Sequence, residues 1–192
     1  MKAVLATLLA LTGSAASAQV VDEYCNDYWF VRNQVINAAG YCFGSPLGQA
    51  IFDNSDCTPG PVTLSPEHQA LVDRIAGIER AGGCKVDTSA TSLPIPLLHL
   101  RLQLEDFAMR DPDSGFGCFG YTGPGFMLWA GHRESGVPIS EVTPGDDLIY
   151  LYWAPEAPPG WTYLDVKRDG EPVGLGWTNV SVSDEDCTQV AG

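Results

Sequence analysis

The chain has few basic side chains. Its 192 residues include 10 Lys and Arg against 24 Asp and Glu, which gives a formal net charge of −14. Proteins that bind nucleic acid take much of their affinity from Lys and Arg that neutralise phosphates. The charge therefore argues against nucleic acid and against anionic membrane surfaces as partners. It favours solubility outside the cell and could also steer a basic partner.

Long apolar runs are also absent. After residue 18, no stretch approaches the roughly 20 apolar residues that cross a bilayer. The first eighteen residues instead have the three parts of a secretory signal, namely Lys2, the apolar run Val4 to Leu11, and Ala16-Ser17-Ala18 as the cleavage site. We expect residues 1–18 to be removed before Gln19, and the mature protein to be periplasmic or secreted.

Signatures of catalysis are scarce. The sequence has no G-x-S-x-G motif, and His68, His99 and His132 stand in unrelated contexts. The acidic pairs Glu105-Asp106 and Asp146-Asp147 are adjacent in sequence, so on a strand their side chains point apart and make poor acid–base partners. We therefore expect no enzyme activity, no metal site and no cofactor. A hydrolase would need His99 or His132 in a pocket beside Asp or Glu.

The six cysteines all follow the expected signal peptide, and an even number in an exported chain predicts three disulfides. None has the spacing of a zinc site. Four fall in the N-terminal part and two in the C-terminal part, so we expect each part to be cross-linked separately. The six are Cys25, Cys42, Cys57, Cys84, Cys118 and Cys187.

The N-terminal part, residues 19–87, has the pattern of a small helical module. Asn26 or Asp27 can cap a helix that runs to Ala39, with Gly40 after its end. Ser65 can cap a second helix that opens with Pro66. A short helical turn is expected from Leu47 to Phe52.

Four cysteines in this module allow three pairings. If the two main helices pack antiparallel, the start of the first lies near the end of the second. That arrangement favours Cys25 with Cys84, and leaves Cys42 to pair with Cys57.

The periodicity changes after Leu93. In Leu98 to Leu104, leucines alternate with polar residues, which predicts a strand. Residues 88–117 are therefore expected to hold a strand and a linker. Residues 118–192 are expected to hold several short strands in a small barrel or sandwich, whose ends a Cys118–Cys187 disulfide would join. The further strand candidates are Gly125 to Trp129, Asp147 to Trp153, Trp161 to Lys167 and Gly174 to Asn179. The fold class is α+β.

The helical module resembles the YARHG domain of exported bacterial proteins. The resemblance rests on Trp29-Phe30-x-Arg32-Asn33-x-x-Ile36, on Gly40-Tyr41-x-Phe43 and on Phe52. The naming motif itself differs, because the chain reads Ile36-Asn37-Ala38-Ala39-Gly40 at that place. Arg32 has a structural role in this interpretation, stacking on Trp29 or holding a carboxylate such as Asp53.

The barrel region resembles a bacterial SH3-like (SH3b) domain over about 55 residues. The order of strands, turns and Gly-Trp pairs carries the resemblance: Leu128-Trp129-Ala130-Gly131, Ile139 to Val142, Gly145-Asp146-Asp147, Leu148 to Tyr152, Gly160-Trp161, Asp169-Gly170 and Gly176-Trp177. Members of that family are generally non-catalytic and often bind cell-wall or other peptides. Together the two parts look like a group of small exported bacterial proteins of unknown function.

Aromatic side chains are dense in the barrel region and are the candidate ligand-binding residues, because small barrels take extended peptides on exposed aromatic grooves. The candidates are Trp129, Tyr150, Tyr152, Trp153 and Trp161. We expect a non-catalytic binding protein that recognises a cell-envelope peptide or a secreted protein through the barrel. The alternative is an acidic inhibitor of a basic secreted enzyme, such as lysozyme or a protease.

Overall fold

The computed structural model describes residues 15–113, 115–134, 136–154 and 156–192, with side chains from Tyr24 onward. It has the expected α+β class, with helices in the N-terminal half and a sheet in the C-terminal half. The helices are α1 (Ala15–Ala38), α2 (Pro46–Ile51), α3 (Pro66–Ala81) and α4 (Leu98–Arg101). Most of the expected signal peptide lies outside the described residues. Within them, no helix combines the length and apolarity that a membrane crossing requires.

Helix α1 begins earlier than the sequence predicts. Asn26 and Asp27 were expected to cap it, but both lie inside the helix. Asp27 is buried and accepts a hydrogen bond from Arg101, so its carboxylate serves a tertiary contact instead of a helix cap. The helix ends at Ala38, where Gly40 supplies a positive φ of 85° that closes the last turn.

The two predicted helical segments that follow are confirmed. Ser65 caps α3 by accepting a hydrogen bond from the backbone N–H of His68, and Pro66 is the first helical residue. Ser45 caps α2 in the same way through Gly48. These caps satisfy backbone donors that have no partner inside a helix.

A core between α1 and α3 holds the helical half together. Phe30, Val35 and Ile75 are fully buried in it. Burial of each such side chain stabilises the fold by about 1.5–3 kcal/mol. The segment after the helices, expected to contain a linker, adds Leu93, Ile95, Phe107 and Met109 to the same core.

Three disulfides join the pairs that the sequence favours. Cys25–Cys84 ties the helical module across 59 residues, and Cys42–Cys57 closes a loop of 15 residues. Cys118–Cys187 closes the sheet part across 69 residues.

The strand predicted at Leu98 to Leu104 is wrong, because this segment forms the single-turn helix α4. Leu97, Leu100 and Leu104 pack against the sheet, and their spacing of three and four residues fits a helix as well as their alternation fits a strand. Arg101, assigned to the polar face of a strand, is buried. Leu102, assigned to the apolar face, is 44% exposed.

The strands form two antiparallel sheets. The small sheet pairs β1 (Met109–Arg110) with β6 (Tyr152–Trp153), and the large one has seven strands in the order β4-β3-β8-β7-β5-β2-β9. The bounds in the large sheet are β2 (Phe116–Tyr121), β3 (Phe126–Trp129), β4 (Pro138–Val142), β5 (Asp147–Tyr150), β7 (Thr162–Arg168), β8 (Glu171–Thr178) and β9 (Cys187–Ala191).

The predicted strand from Asp147 to Trp153 is divided at Leu151, which lies between β5 and β6. Its first half pairs with β2 and β7, and its second half leaves for β1. Because of this break, β6 pairs with β1 at the boundary with the helical half.

The large sheet is curved, so that β4, which pairs with β3, also contacts β8. Ser140 Oγ donates to the backbone oxygen of Leu175 at 2.6 Å and accepts from its N–H at 3.1 Å. Leu128, Val142, Leu148 and Leu164 fill the space that the curl encloses.

Candidate functional site

The five candidate aromatic residues are all half-buried, and they do not line one groove. Tyr150 packs against Phe116 beside the core of the large sheet. Trp153 joins the helical core instead, with the guanidinium of Arg74 4.4 Å from its ring centroid. The division at Leu151 is the physical reason for this separation.

The other three candidates lie around a different cluster from those of Tyr150 and Trp153. Tyr152 and Trp161 pack around the cluster of Tyr163 and Trp177, and Trp129 is paired in register with Trp177. The rings of Tyr152 and Tyr163 meet edge to face, with centroids 4.5 Å apart. These aromatic side chains therefore serve mainly to pack the protein interior.

A buried network of charged groups joins the two halves of the molecule. Arg101 donates from Nη1 to Asp27 Oδ1 and from Nη2 to the hydroxyl of Tyr152, both at 2.9 Å. Tyr152 donates in turn to Asp165 Oδ2 at 2.9 Å. Burial raises the pKa of Asp165, and Arg101 acts against that shift. One arginine thus connects α1, β6 and β7.

Arg110 stands beside this network without such partners. Among the described residues its side chain makes no hydrogen bond or ion pair, and its Nε is buried. Its guanidinium lies 4.6 Å from the ring centroid of Tyr24. Burial lowers the pKa of Arg110, while the coulombic influence of Tyr152, Asp27 and Asp165 raises it by more. Arg110 therefore stays positively charged, with Asp27 and Asp165 acting on it from beyond ion-pair distance.

A cavity of about 400 Å³ opens at Arg110, between the helical half and the sheet part. The size is within the range of roughly 300–1,000 Å³ that small-ligand sites occupy. Burial raises the pKa of Tyr28 in its wall to about 12. The other walls combine apolar side chains with the Cys25–Cys84 disulfide: Tyr24, Ile78, Pro112 and Leu151.

The histidines do not converge on a pocket. His99 is exposed, and His68 lies 3.5 Å from Glu156. His132 Nδ1 lies 3.2 Å from Asp106 Oδ2, but Nε2 is buried and has no hydrogen-bond partner. Burial lowers the pKa of His132, although Asp106 and Glu156 act in the opposite direction. In the part of the chain that the structure describes, no three His, Cys, Asp or Glu side chains form a metal-binding group.

The acidic pair at 146–147 has local structural contacts. Asp146 is buried and accepts from Arg168 Nε at 2.8 Å and from the backbone of Thr143 at 2.8 Å. Asp147 accepts from the backbone of Gly120. Both carboxylates hold turns and strand ends.

Arg32 also has a structural contact, though not the one suggested. Its Nε lies 2.8 Å from Oε2 of Glu79 in α3, so Arg32 does hold a carboxylate, which is that of Glu79 and not that of Asp53. Asp53 instead accepts hydrogen bonds from Ser55 in its own turn.

The cavity residues were missed by sequence reasoning. They come from α1, the end of α3, β1 and the break at Leu151, so no spacing along the chain relates them. The segment at Arg110 also has the composition of a linker. Only the packing of the two halves brings these residues together.

The fold and the cavity define an α+β protein in which a disulfide-linked helical module is joined to an antiparallel sheet part. The YARHG domain model matches residues 2–80. The model of a domain of unknown function, DUF4453, matches residues 83–192, which is more than half of the chain. The chain therefore belongs to the DUF4453 family and carries a YARHG domain at its N-terminal end. Disulfides together with a YARHG domain are consistent with an extracellular protein.

Neither the curated proteins nor the solved structures gave a match to this chain.

Proposed function

We propose that this chain is an exported, non-catalytic binding protein that recognises a cell-envelope peptide. The cavity between its two halves carries the proposal, because it offers apolar and aromatic walls beside one fixed cation. Such a combination suits a ligand with an apolar body and a few polar groups. The three disulfides and the Arg101 network support a rigid site, which lowers the entropy lost on binding.

The proposal includes an SH3-like barrel formed by β3, β4, β5, β7 and β8. The support is the return of β4 across β8 through Ser140, together with the antiparallel order of the other strands. Strands β2 and β9 extend this barrel at one edge. In this scheme the barrel contributes the cavity wall at Leu151, where β5 leaves for β6.

A non-catalytic role is supported by the burial of His132. Its Nε2 is covered, and its ring packs against Trp177 with centroids 4.0 Å apart. A general base must reach the proton that it removes. The Nε2 atom of His132 is out of reach of a substrate in this arrangement.

The first test is retention of the mature chain, residues 19–192, on purified bacterial cell walls. We expect the protein to sediment with the walls and to remain bound at 0.5 M salt, because apolar contacts carry most of the binding. Absence from the pellet at low salt would contradict the proposal.

The second candidate function is inhibition of a basic secreted enzyme, and the net charge of −14 favours it. Electrostatic recognition of that kind weakens strongly with salt. Inhibition of lysozyme or a basic protease at low salt that is lost at 0.5 M salt, without retention on cell walls, would support this candidate over the first.

A further inference from the structure

Arg110 differs from Arg74 and Arg101 in its partners. Arg74 lies 3.6 Å from Asp111, and Arg101 is bonded to Asp27. In the described residues Arg110 forms no ion pair, and its guanidinium lies 4.6 Å from the ring centroid of Tyr24. Asp27 and Asp165 raise the pKa of Arg110 from beyond ion-pair distance, so its guanidinium stays charged while no carboxylate is in contact with it.

The chemistry around Arg110 selects an anion of a particular kind. A planar guanidinium matches a carboxylate through two parallel hydrogen bonds. Apart from the carboxylate of Asp111, the side chains around it are apolar or aromatic, at Tyr24, Tyr28, Ile78 and Leu151. A ligand must therefore present a carboxylate and an apolar group within one residue's length.

We infer that the cavity binds the free C-terminal carboxylate of a peptide whose last residue is apolar or aromatic, with Arg110 as the carboxylate-binding residue. The inference rests on the proposed function and specifies its ligand. An internal Asp or Glu would place its own polar side chain against the apolar walls. A C-terminal residue instead carries the carboxylate and an apolar side chain on the same Cα. Asp111 in the same wall pairs with Arg74 and accepts from the backbone N–H of Asp113, and a peptide N–H, unlike an acyl chain, can donate a further hydrogen bond to its carboxylate.

The test compares acetyl-Gly-Gly-Phe as the free acid, the same peptide as the C-terminal amide, and octanoate. Binding to residues 19–192 is measured by NMR titration, with the Nε–H resonance of Arg110 as the reporter. We expect the free acid to shift this resonance and to bind at least about tenfold more tightly than the amide, since a hydrogen bond to a charged group is lost with the amide. Octanoate should bind more weakly than the free acid.

The variants R110Q and R110K separate recognition from folding. R110Q should remove the preference for the acid, R110K should retain part of it, and both should still bind the amide. The matched control R133Q changes an exposed arginine that pairs with Glu105 away from the cavity, and it should leave all three titrations unchanged.

Two results would overturn the inference in distinguishable ways. Equal binding of acid and amide with shifts at the cavity would reject carboxylate recognition and leave peptide binding intact. Absence of binding by both peptides, or tighter binding of octanoate, would reject the C-terminal peptide as ligand. Retention on cell walls, measured separately, then shows whether the proposed function also fails.

Discussion

Arg101 donates a hydrogen bond to Asp27 at 2.9 Å across 74 residues of sequence, and both side chains are buried. The contact joins α4 to the middle of α1, and Arg101 continues through Tyr152 to the sheet part. The walls of the cavity therefore keep their positions through a polar connection as well as through apolar packing.

Removal of one member of this pair should be strongly destabilising. We expect R101M to lower the free energy of unfolding by about 3–5 kcal/mol, because Asp27 would keep a buried charge without its partner. Urea denaturation of residues 19–192 measures the change. The double variant D27N/R101M should be less destabilised than the sum of the two single variants. Strict additivity would show that the two side chains do not interact.

A matched control is R133M, whose ion pair with Glu105 is exposed. Surface pairs of this kind contribute about 0–1 kcal/mol. A loss in R133M as large as that in R101M would indicate that burial is not the cause.

The disulfides should differ in their contributions according to the loops that they close. Replacing Cys118 and Cys187 together by Ala removes a cross-link over 69 residues, and the chain-entropy relation gives a loss of about 4 kcal/mol. The Cys42–Cys57 pair closes only 15 residues, for which the same relation gives about 3 kcal/mol. Thermal unfolding of the two double variants should rank them in this order, and the reverse order would contradict the entropic account.

Asp146 should make part of the stability depend on pH. Its burial raises its pKa, but the hydrogen bonds from Arg168 and Thr143 lower it below the ordinary value of an aspartate. Stability from this group is thus present above the ordinary aspartate pKa of about 3.9 and is lost as the pH falls through the lower folded-state pKa. D146N should be destabilised at pH 7, and its difference from the wild type should shrink at pH 3.

The exposed aspartate Asp56 provides the control for this measurement. D56N should follow the wild type at both pH values in urea denaturation. A constant difference between D146N and the wild type from pH 7 to pH 3 would exclude Asp146 as a source of the pH dependence.

The sequence predicted the features that depend on local chemistry. Ser65 and Pro66 mark the start of α3 because cap and first-turn preferences act within a few residues. The cysteine pairs followed from the expected antiparallel helices. Leu98 to Leu104 was misassigned because its leucines fit both periods, and only the buried contact of Arg101 with Asp27 decides between them.

Two other features required the three-dimensional structure. Strand β2 was missed since Gly117 and Gly120 interrupt its apolar pattern, although it is held on both sides by β5 and β9. The cavity was missed because Tyr24, Arg110 and Leu151 are brought together only when the two halves pack.

The central claim, that the cavity at the junction of helices and sheet is the binding site, is tested most directly by blocking it. L151E places a carboxylate in the cavity wall beside Arg110, and V137E places the same group at a half-exposed position outside the cavity lining. Retention on purified cell walls is measured for both variants and for the wild type, after their thermal unfolding has shown that they are folded. We predict that L151E is released from the walls while V137E is retained like the wild type. Equal retention of all three proteins would contradict the account.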